Sequence, residues 1–245
     1  NLITLYHLIF IVKIKNNMAI CIIGNSLSAL TLAKALVEQK ISVDVFCSKK
    51  NLDISITRTI GISKSNTDYL NKNVINIDKL LWKLKKIEIF SDNLKYQKLI
   101  DFKKSHGHIF SIVKNYEFYQ LLYVYLSKNK HFKLKYSTSK NLSLIDNYDL
   151  VVSCDQSNII TKKYFSKKIV KKYNSFAYTT IIEHKEIENN IATQFFTKNG
   201  PLAFLPIASN RTSIVYSVNS SKIQKDENIK KLIRLYGLKY KIIKI

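Results

Sequence analysis

At 245 residues, 46% of them hydrophobic and 11% aromatic, the chain can bury a sizeable core and is too apolar to be a disordered polypeptide. Its 40 Lys and Arg against 17 Asp and Glu leave a formal charge of +23, which favours anionic partners. The lysines fall in scattered pairs such as Lys85–Lys86 and Lys103–Lys104, however, the pattern of AT-rich coding, so no nucleic-acid partner is expected.

Residues 1–17 precede the single methionine, Met18. Leu2–Val12 is apolar but too short to span a bilayer, and no basic segment precedes it. The stretch 1–17 therefore reads as an extension upstream of the true start, outside the fold; a short amphipathic membrane foot is the other reading. Ala19–Ile23 is a short apolar run without polar alternation, as in a strand buried on both faces. Gly24 breaks it, and from Leu27 apolar residues recur at helical spacing through Leu30, Ala33, Leu36 and Val37. Ser42–Cys47 is a second short strand, so the whole is a βαβ unit with a parallel sheet.

The turn of that unit is where a dinucleotide fingerprint, G-x-G-x-x-G, would lie, with an acidic residue ending the next strand. The frame here holds Gly24, Ser26 and Ala29, and the acidic position falls on Cys47. One glycine of three remains and the carboxylate is absent. The helix N-terminus keeps its unpaired amides and partial positive charge regardless, so it can still attract a phosphate. Asp44 lies an odd number of residues from Cys47 and so faces the other way on the strand.

Further along, Arg58 is one of few arginines in a lysine-dominated chain, and its planar fork suits a phosphate as well as the surface. A helix is expected over Ser65–Lys72 with Ser65 as its cap, and strands and turns over Leu80–Lys104. Asn115–Ser127 reads as a helix with Phe118, Leu121, Leu122, Tyr125 and Leu126 on a core stripe. Phe132–Tyr136 and Leu142–Ile145 read as strands. Leu150–Val152 reads as a buried strand ending in Ser153, Cys154 and Asp155, where an aspartate either faces a ligand or makes a turn. From Tyr173 the texture changes to closely spaced strands, Ser175–Glu183, Ala192–Thr197, Gly200–Ile207 and Thr212–Val218, then an amphipathic helix, Lys222–Tyr236. That is an antiparallel sheet added to the first architecture. Cys21, Cys47 and Cys154, an odd count placed on strands, argue against a disulfide framework and for a reducing cytoplasm. His106 and His108 form the only close histidine pair and read as loop, so no metal site is expected.

Several of these segments, RTIGIS, IFSIVKN, DLVVSCDQSN and above all ATQFFTKNGPLAFLPI, together resemble the ubiquinone-biosynthesis hydroxylases of the FAD-dependent aromatic-ring monooxygenases, the para-hydroxybenzoate hydroxylase superfamily. The resemblance covers most of Met18–Val218. It implies an α/β fold with a Rossmann-like FAD-binding βαβ domain on a parallel sheet, plus an antiparallel β-sheet substrate domain. Residues 18–78 and 105–168 would form the FAD-binding domain, and 79–104 with 169–245 the substrate domain. It also implies that Gly24, Asn25, Ser26, Leu27 and Ala29 line the diphosphate, that Cys47 takes the ribose place, and that Arg58, Gln120 and Asp155 stand near the cofactor. Gly200 and Pro201, in a Gly200–Pro206 turn, would adjoin the substrate. No catalytic side chain is implied. The activity implied is hydroxylation of a polyprenyl phenol in ubiquinone biosynthesis, using FAD, NAD(P)H and O2, with other proteins of that biosynthesis and a peripheral membrane surface as partners. The location implied is the cytoplasm or the inner face of the membrane.

The chain departs from the family pattern in three places. The second motif reads Ser153, Cys154, Asp155, Gln156, with Ile159 where the family has Ser, so only Asp155 is kept. The third motif, Gly-Asp followed by Ala-Ala-His, does not occur, and the resemblance implies that it lies beyond Ile245 in a longer chain. With Cys47, these departures leave a second reading open, a non-catalytic homologue within a membrane-associated biosynthetic complex.

Overall fold

The computed structural model describes residues 18–47, 56–92, 97–103, 107–136, 146–167, 169, 171, 173–219 and 224–245. The extension at 1–17, the expected strand at Leu142–Ile145, and His106 lie outside them. In chain order the elements begin with β1 (Ala19–Ile23), α1 (Leu27–Glu38), β2 (Ser42–Cys47), β3 (Thr59–Ser63), α2 (Lys64–Asn73), β4 (Trp82–Leu84), β5 (Lys86–Ser91) and β6 (Gln97–Lys103). They continue with β7 (Phe110–Lys114), α3 (Asn115–Ser127), β8 (Phe132–Tyr136), β9 (Leu150–Ser153) and α4 (Ile159–Tyr164). The last are β10 (Phe176–His184), β11 (Ile191–Thr197), β12 (Gly200–Ala208), β13 (Arg211–Val218), α5 (Asp226–Tyr236) and β14 (Ile242–Lys244). Two compact units result, Asn1–Leu52 with Leu121–Lys168, and Asp53–Gln120 with Ile169–Ile245.

The first unit is built on four parallel strands in the order β8-β2-β1-β9. β1 lies inside the sheet, and Ile20, Cys21, Ile22 and Ile23 are at most 2% exposed, which is why that strand has no polar alternation. β2 does alternate: Val43, Val45 and Cys47 are buried, Asp44 and Phe46 only partly. Asp44 is thus on the face away from Cys47, where its carboxylate accepts from the Tyr148 hydroxyl at 2.5 Å and pairs with Lys135 at 2.6 Å. α1 packs on β1 and β2, burying Ala29, Leu30, Ala33 and Val37.

In the second unit a seven-stranded sheet runs β14-β10-β13-β12-β11-β5-β6, antiparallel except where β11 meets β5. A three-stranded antiparallel sheet, β3-β7-β4, accompanies it. Leu202 and Phe204, two apart on β12, pack with Ile182, Ile214 and the α5 residues Ile229 and Ile233. Ile207, an odd step away, packs instead with Ala192, Leu84 and Ile112, so the period of two sends alternate side chains into two different cores.

The mixed α/β architecture, with a parallel sheet and a separate antiparallel one, is the one the sequence predicts. Five local expectations are corrected. The cap of α2 lies two residues earlier than expected: Ser63, not Ser65, accepts from the Asn66 amide at 3.3 Å. β9 is not buried, because it is the edge strand of its sheet, and Leu150 is exposed. Tyr125 leaves the α3 stripe for the surface, where the Lys34 ammonium stands 5.8 Å from its ring centre. Gly200–Pro206 is strand rather than turn, since β12 is paired on both edges, with β11 and β13. Cys154 follows β9 rather than lying on it. The short β14, which pairs with β10, has no signal in its three residues.

Candidate nucleotide-binding site

Because the four strands of the first unit are parallel, their carboxyl ends share one edge, and there β1, β2 and β9 deliver Gly24, Cys47 and Asp155. Gly24 has φ +99°, a conformation that favours glycine. Its amide donates to the Phe46 carbonyl at 2.7 Å, and the Cys154 amide donates to the Ile23 carbonyl at 2.8 Å, so the turn is clamped by both neighbouring strands. A Cβ on Gly24 would lie 3.0 Å from the Asp155 Cβ and 3.3 Å from its backbone nitrogen. The glycine is therefore required twice, by its dihedral and by the close approach of the segment leaving β9.

Asn25 follows and is buried. Ser26 is extended and caps α1, its Oγ accepting from the Ala29 amide at 3.4 Å. Sequence reasoning gives Ser26 the part of a small residue beside a phosphate; in the structure its hydroxyl also serves the helix itself. Leu27 starts α1, and Ala29 is fully buried. The first turn holds no acidic residue, so nothing opposes the helix's partial positive charge.

Cys47 is 5% exposed, with its Sγ 3.9 Å from the Lys135 carbonyl. Burial pushes its thiol pKa up, so it stays neutral. A neutral buried thiol aimed at a backbone carbonyl does not replace a carboxylate that accepts two ribose hydroxyls. The residues present thus suit the diphosphate of a dinucleotide and do not suit its adenosine ribose.

Asp155 turns toward its own loop. Its Oδ1 accepts from the Ser157 amide at 2.9 Å and the Ser157 hydroxyl at 2.6 Å. Its carbonyl accepts from the Thr161 hydroxyl at 2.7 Å and the Ser153 hydroxyl at 3.3 Å. Ser157 and Thr161 were not foreseen as site residues; the signal available was a hydroxyl two and six positions after the aspartate, too common to single out.

The remaining expected residues belong to the second unit and sit on separate elements. Arg58 is exposed just before β3, its carbonyl accepting from the Asn115 amide at 3.0 Å. Gln120 is half-buried on α3. Gly200 opens β12 with φ +136°, and a Cβ there would stand 2.0 Å from the Ser217 carbonyl oxygen. Pro201 lies opposite Phe196 of β11. A buried polar cluster in this unit was also missed. Asn189 Nδ2 lies 2.8 Å from the Ala208 carbonyl, 3.1 Å from that of Arg211 and 2.9 Å from Thr212 Oγ1, while His184 Nε2 meets the same hydroxyl at 2.9 Å. Among the described residues no group of three or more His, Cys, Asp or Glu could hold a metal ion, and no helix is long and apolar enough to cross a membrane.

No family model and no curated protein matches the chain. Solved structures match it in fold. HpxO of Klebsiella pneumoniae, complexed with FAD and uric acid, is 13% identical with a TM-score of 0.65, over 91% of this chain and 62% of that one. The p-nitrophenol 4-monooxygenase PnpA of Pseudomonas putida DLL-E4 is 9% identical with a TM-score of 0.67, over 91% and 63%. A geranylgeranyl bacteriochlorophyll reductase-like protein of Thermoplasma acidophilum is 12% identical with a TM-score of 0.67, over 94% and 65%. The chain therefore spans less than two thirds of the length of these proteins and shares their fold.

Proposed function

We propose that the chain is the nucleotide-binding part, with part of the substrate sheet, of an FAD-dependent monooxygenase acting on an aromatic ring. The observation that carries the reading is the Gly24 turn at the carboxyl edge of the parallel sheet, shaped by φ +99° and followed by a capped helix with no acidic first-turn residue. The fold it sits in is shared with HpxO, complexed with FAD, and with PnpA, a monooxygenase.

FAD, when bound, would supply the redox chemistry by which electrons from NAD(P)H and an oxygen atom from O2 are brought to an electron-rich ring. The chain's own part is to hold it. The amides opening α1 would take the diphosphate, Gly24 would let it approach the backbone, and Asp155 would stand beside that turn. The finer reading, a polyprenyl phenol of ubiquinone biosynthesis as substrate, rests on the wording GPLAFLP at Gly200–Pro206 and on its likeness to that family.

One observation favours a second reading. The buried, neutral Cys47 stands where a ribose-binding carboxylate belongs, as it would in a homologue that kept the fold and lost the cofactor. The purified chain, titrated with FAD and followed by flavin fluorescence, separates the two. The flavin reading predicts saturable binding, strengthened about ten-fold by Cys47→Glu, because a charged hydrogen bond contributes about 1.5 kcal/mol. No binding by either protein favours the cofactor-less reading.

A further inference from the structure

The turn that follows α5, residues 237–240, is fixed at both ends. The Gly237 amide donates to the Ile233 carbonyl at 2.8 Å, and the Tyr240 amide to the Gly237 carbonyl at 2.9 Å. Tyr240 is buried, its ring stacked on that of Phe204 with the centres 5.6 Å apart. Lys239, inside the turn, is exposed, so a reagent in water can reach it. Its tip nevertheless lies against the protein. Nζ donates to Thr193 Oγ1 at 3.0 Å and stands 4.9 Å from the ring centre of Tyr240. Thr193, on β11, is itself buried.

The partner sets this ammonium apart. Lys34, Lys85, Lys86, Lys98, Lys114 and Lys135 each rest against a carboxylate, which holds the proton on nitrogen. Among the described residues no carboxylate is paired with Lys239. Glu88 lies beside Thr193 in the register of β5 and β11, but its Oε1 is taken by Lys86 at 2.7 Å and Lys98 at 3.7 Å. A hydroxyl, unlike a carboxylate, serves both forms of a lysine: it accepts from the ammonium and donates to the free amine. Loss of water around Nζ also lowers the Lys239 pKa, against the opposing charge of Glu88.

We propose that Lys239 is a modification site, acylated on Nζ by activated acyl donors, either acyl phosphates or acyl thioesters. The free amine is the nucleophile. Its lone pair attacks the acyl carbonyl carbon and a C–N bond forms. The C–O bond to phosphate, or the C–S bond to the thiolate, breaks and the leaving group keeps the electron pair. The proton released from nitrogen passes to water. The product is a neutral amide whose N–H can still donate to Thr193 Oγ1, so the modification removes a charge and keeps the hydrogen bond. The proposal does not depend on the flavin reading.

The test treats the whole chain, folded and in concentrated urea, with limiting acetyl phosphate near neutral pH. A second arm uses the thioester S-acetyl-N-acetylcysteamine. Peptide mass spectrometry reads the acetylation of each lysine. In the folded chain Lys239 should react at least about five-fold faster than the median lysine, and in urea within about two-fold of it. Thr193→Asp, which sets a carboxylate in place of the hydroxyl, should erase the advantage in a chain whose thermal melting shows it folded. Should that variant fail to fold, the comparison with urea carries the test. Preference for Lys239 with either donor supports the site and names the donor. A folded-state rate no faster than the median with both donors, an advantage that persists in urea, or one that folded T193D keeps would overturn the proposal.

Discussion

The two units solve the problem of holding a polar group in opposite ways. At the edge of the first unit's sheet the groups offered are main-chain: the Gly24 turn and the amides that open α1. In the second unit the equivalent polar work is done by side chains, with Asn189, His184 and Thr212 bonded to one another and to the carbonyls of Ala208, Arg211 and Lys185 in a buried cluster. A main-chain site survives the loss of the surrounding side chains, provided the glycine that shapes it stays. A side-chain cluster does not, because each buried partner left unpaired costs its desolvation in full.

The contrast can be broken most easily in the second unit. Asn189→Leu removes the donor shared by two carbonyls and a hydroxyl at a residue only 3% exposed. Its expected cost is about 3 kcal/mol in urea unfolding. A loss near zero would mean that the cluster does not hold the sheet.

A smaller effect sharpens the picture of the first unit. Burial, and then the charge of Asp44, raises the Cys21 thiol from 9.0 to about 11. The folded state therefore keeps its proton where the unfolded chain has lost it. Stability from this group is complete below pH 9 and falls as pH rises toward 11, by about 2 kcal/mol. Cys21→Ala, less stable at neutral pH, should show a shallower fall over that window than the unaltered chain; parallel curves would contradict the shift.

The smallest effect is the most instructive for the site. Ser26→Ala removes the α1 cap and should lower stability by about 1 kcal/mol. FAD affinity should change by no more than about two-fold, since the amides remain in place. A large loss of affinity with little loss of stability would assign the site to the Ser26 hydroxyl instead of the backbone.

Much of the fold is legible in the sequence where local pattern and burial agree. Ala19–Ile23, Ser42–Cys47, Asn115–Ser127 and Phe132–Tyr136 have the observed bounds because each is an apolar, alternating or stripe-forming run closed by a polar or glycine break. The pattern fails where neighbours decide. Leu150–Val152 looks like a core strand yet lies at a sheet edge, and sheet order is not encoded in a strand's own composition. The site is legible in the same proportion. Spacing finds Gly24, Ser26 and Cys47, but the packing of Asp155 to 3.0 Å from where a Cβ on Gly24 would lie joins residues 131 positions apart, and Asn189 gathers partners from a later turn and strand.

The central claim is that the first unit grips a diphosphate through its backbone. Calorimetric titration of the same protein with FAD and with riboflavin, which carries the ring system but no diphosphate, tests it directly. The account predicts saturable heat with FAD and none with riboflavin. Equal affinity for the two, or heat with riboflavin alone, would contradict it.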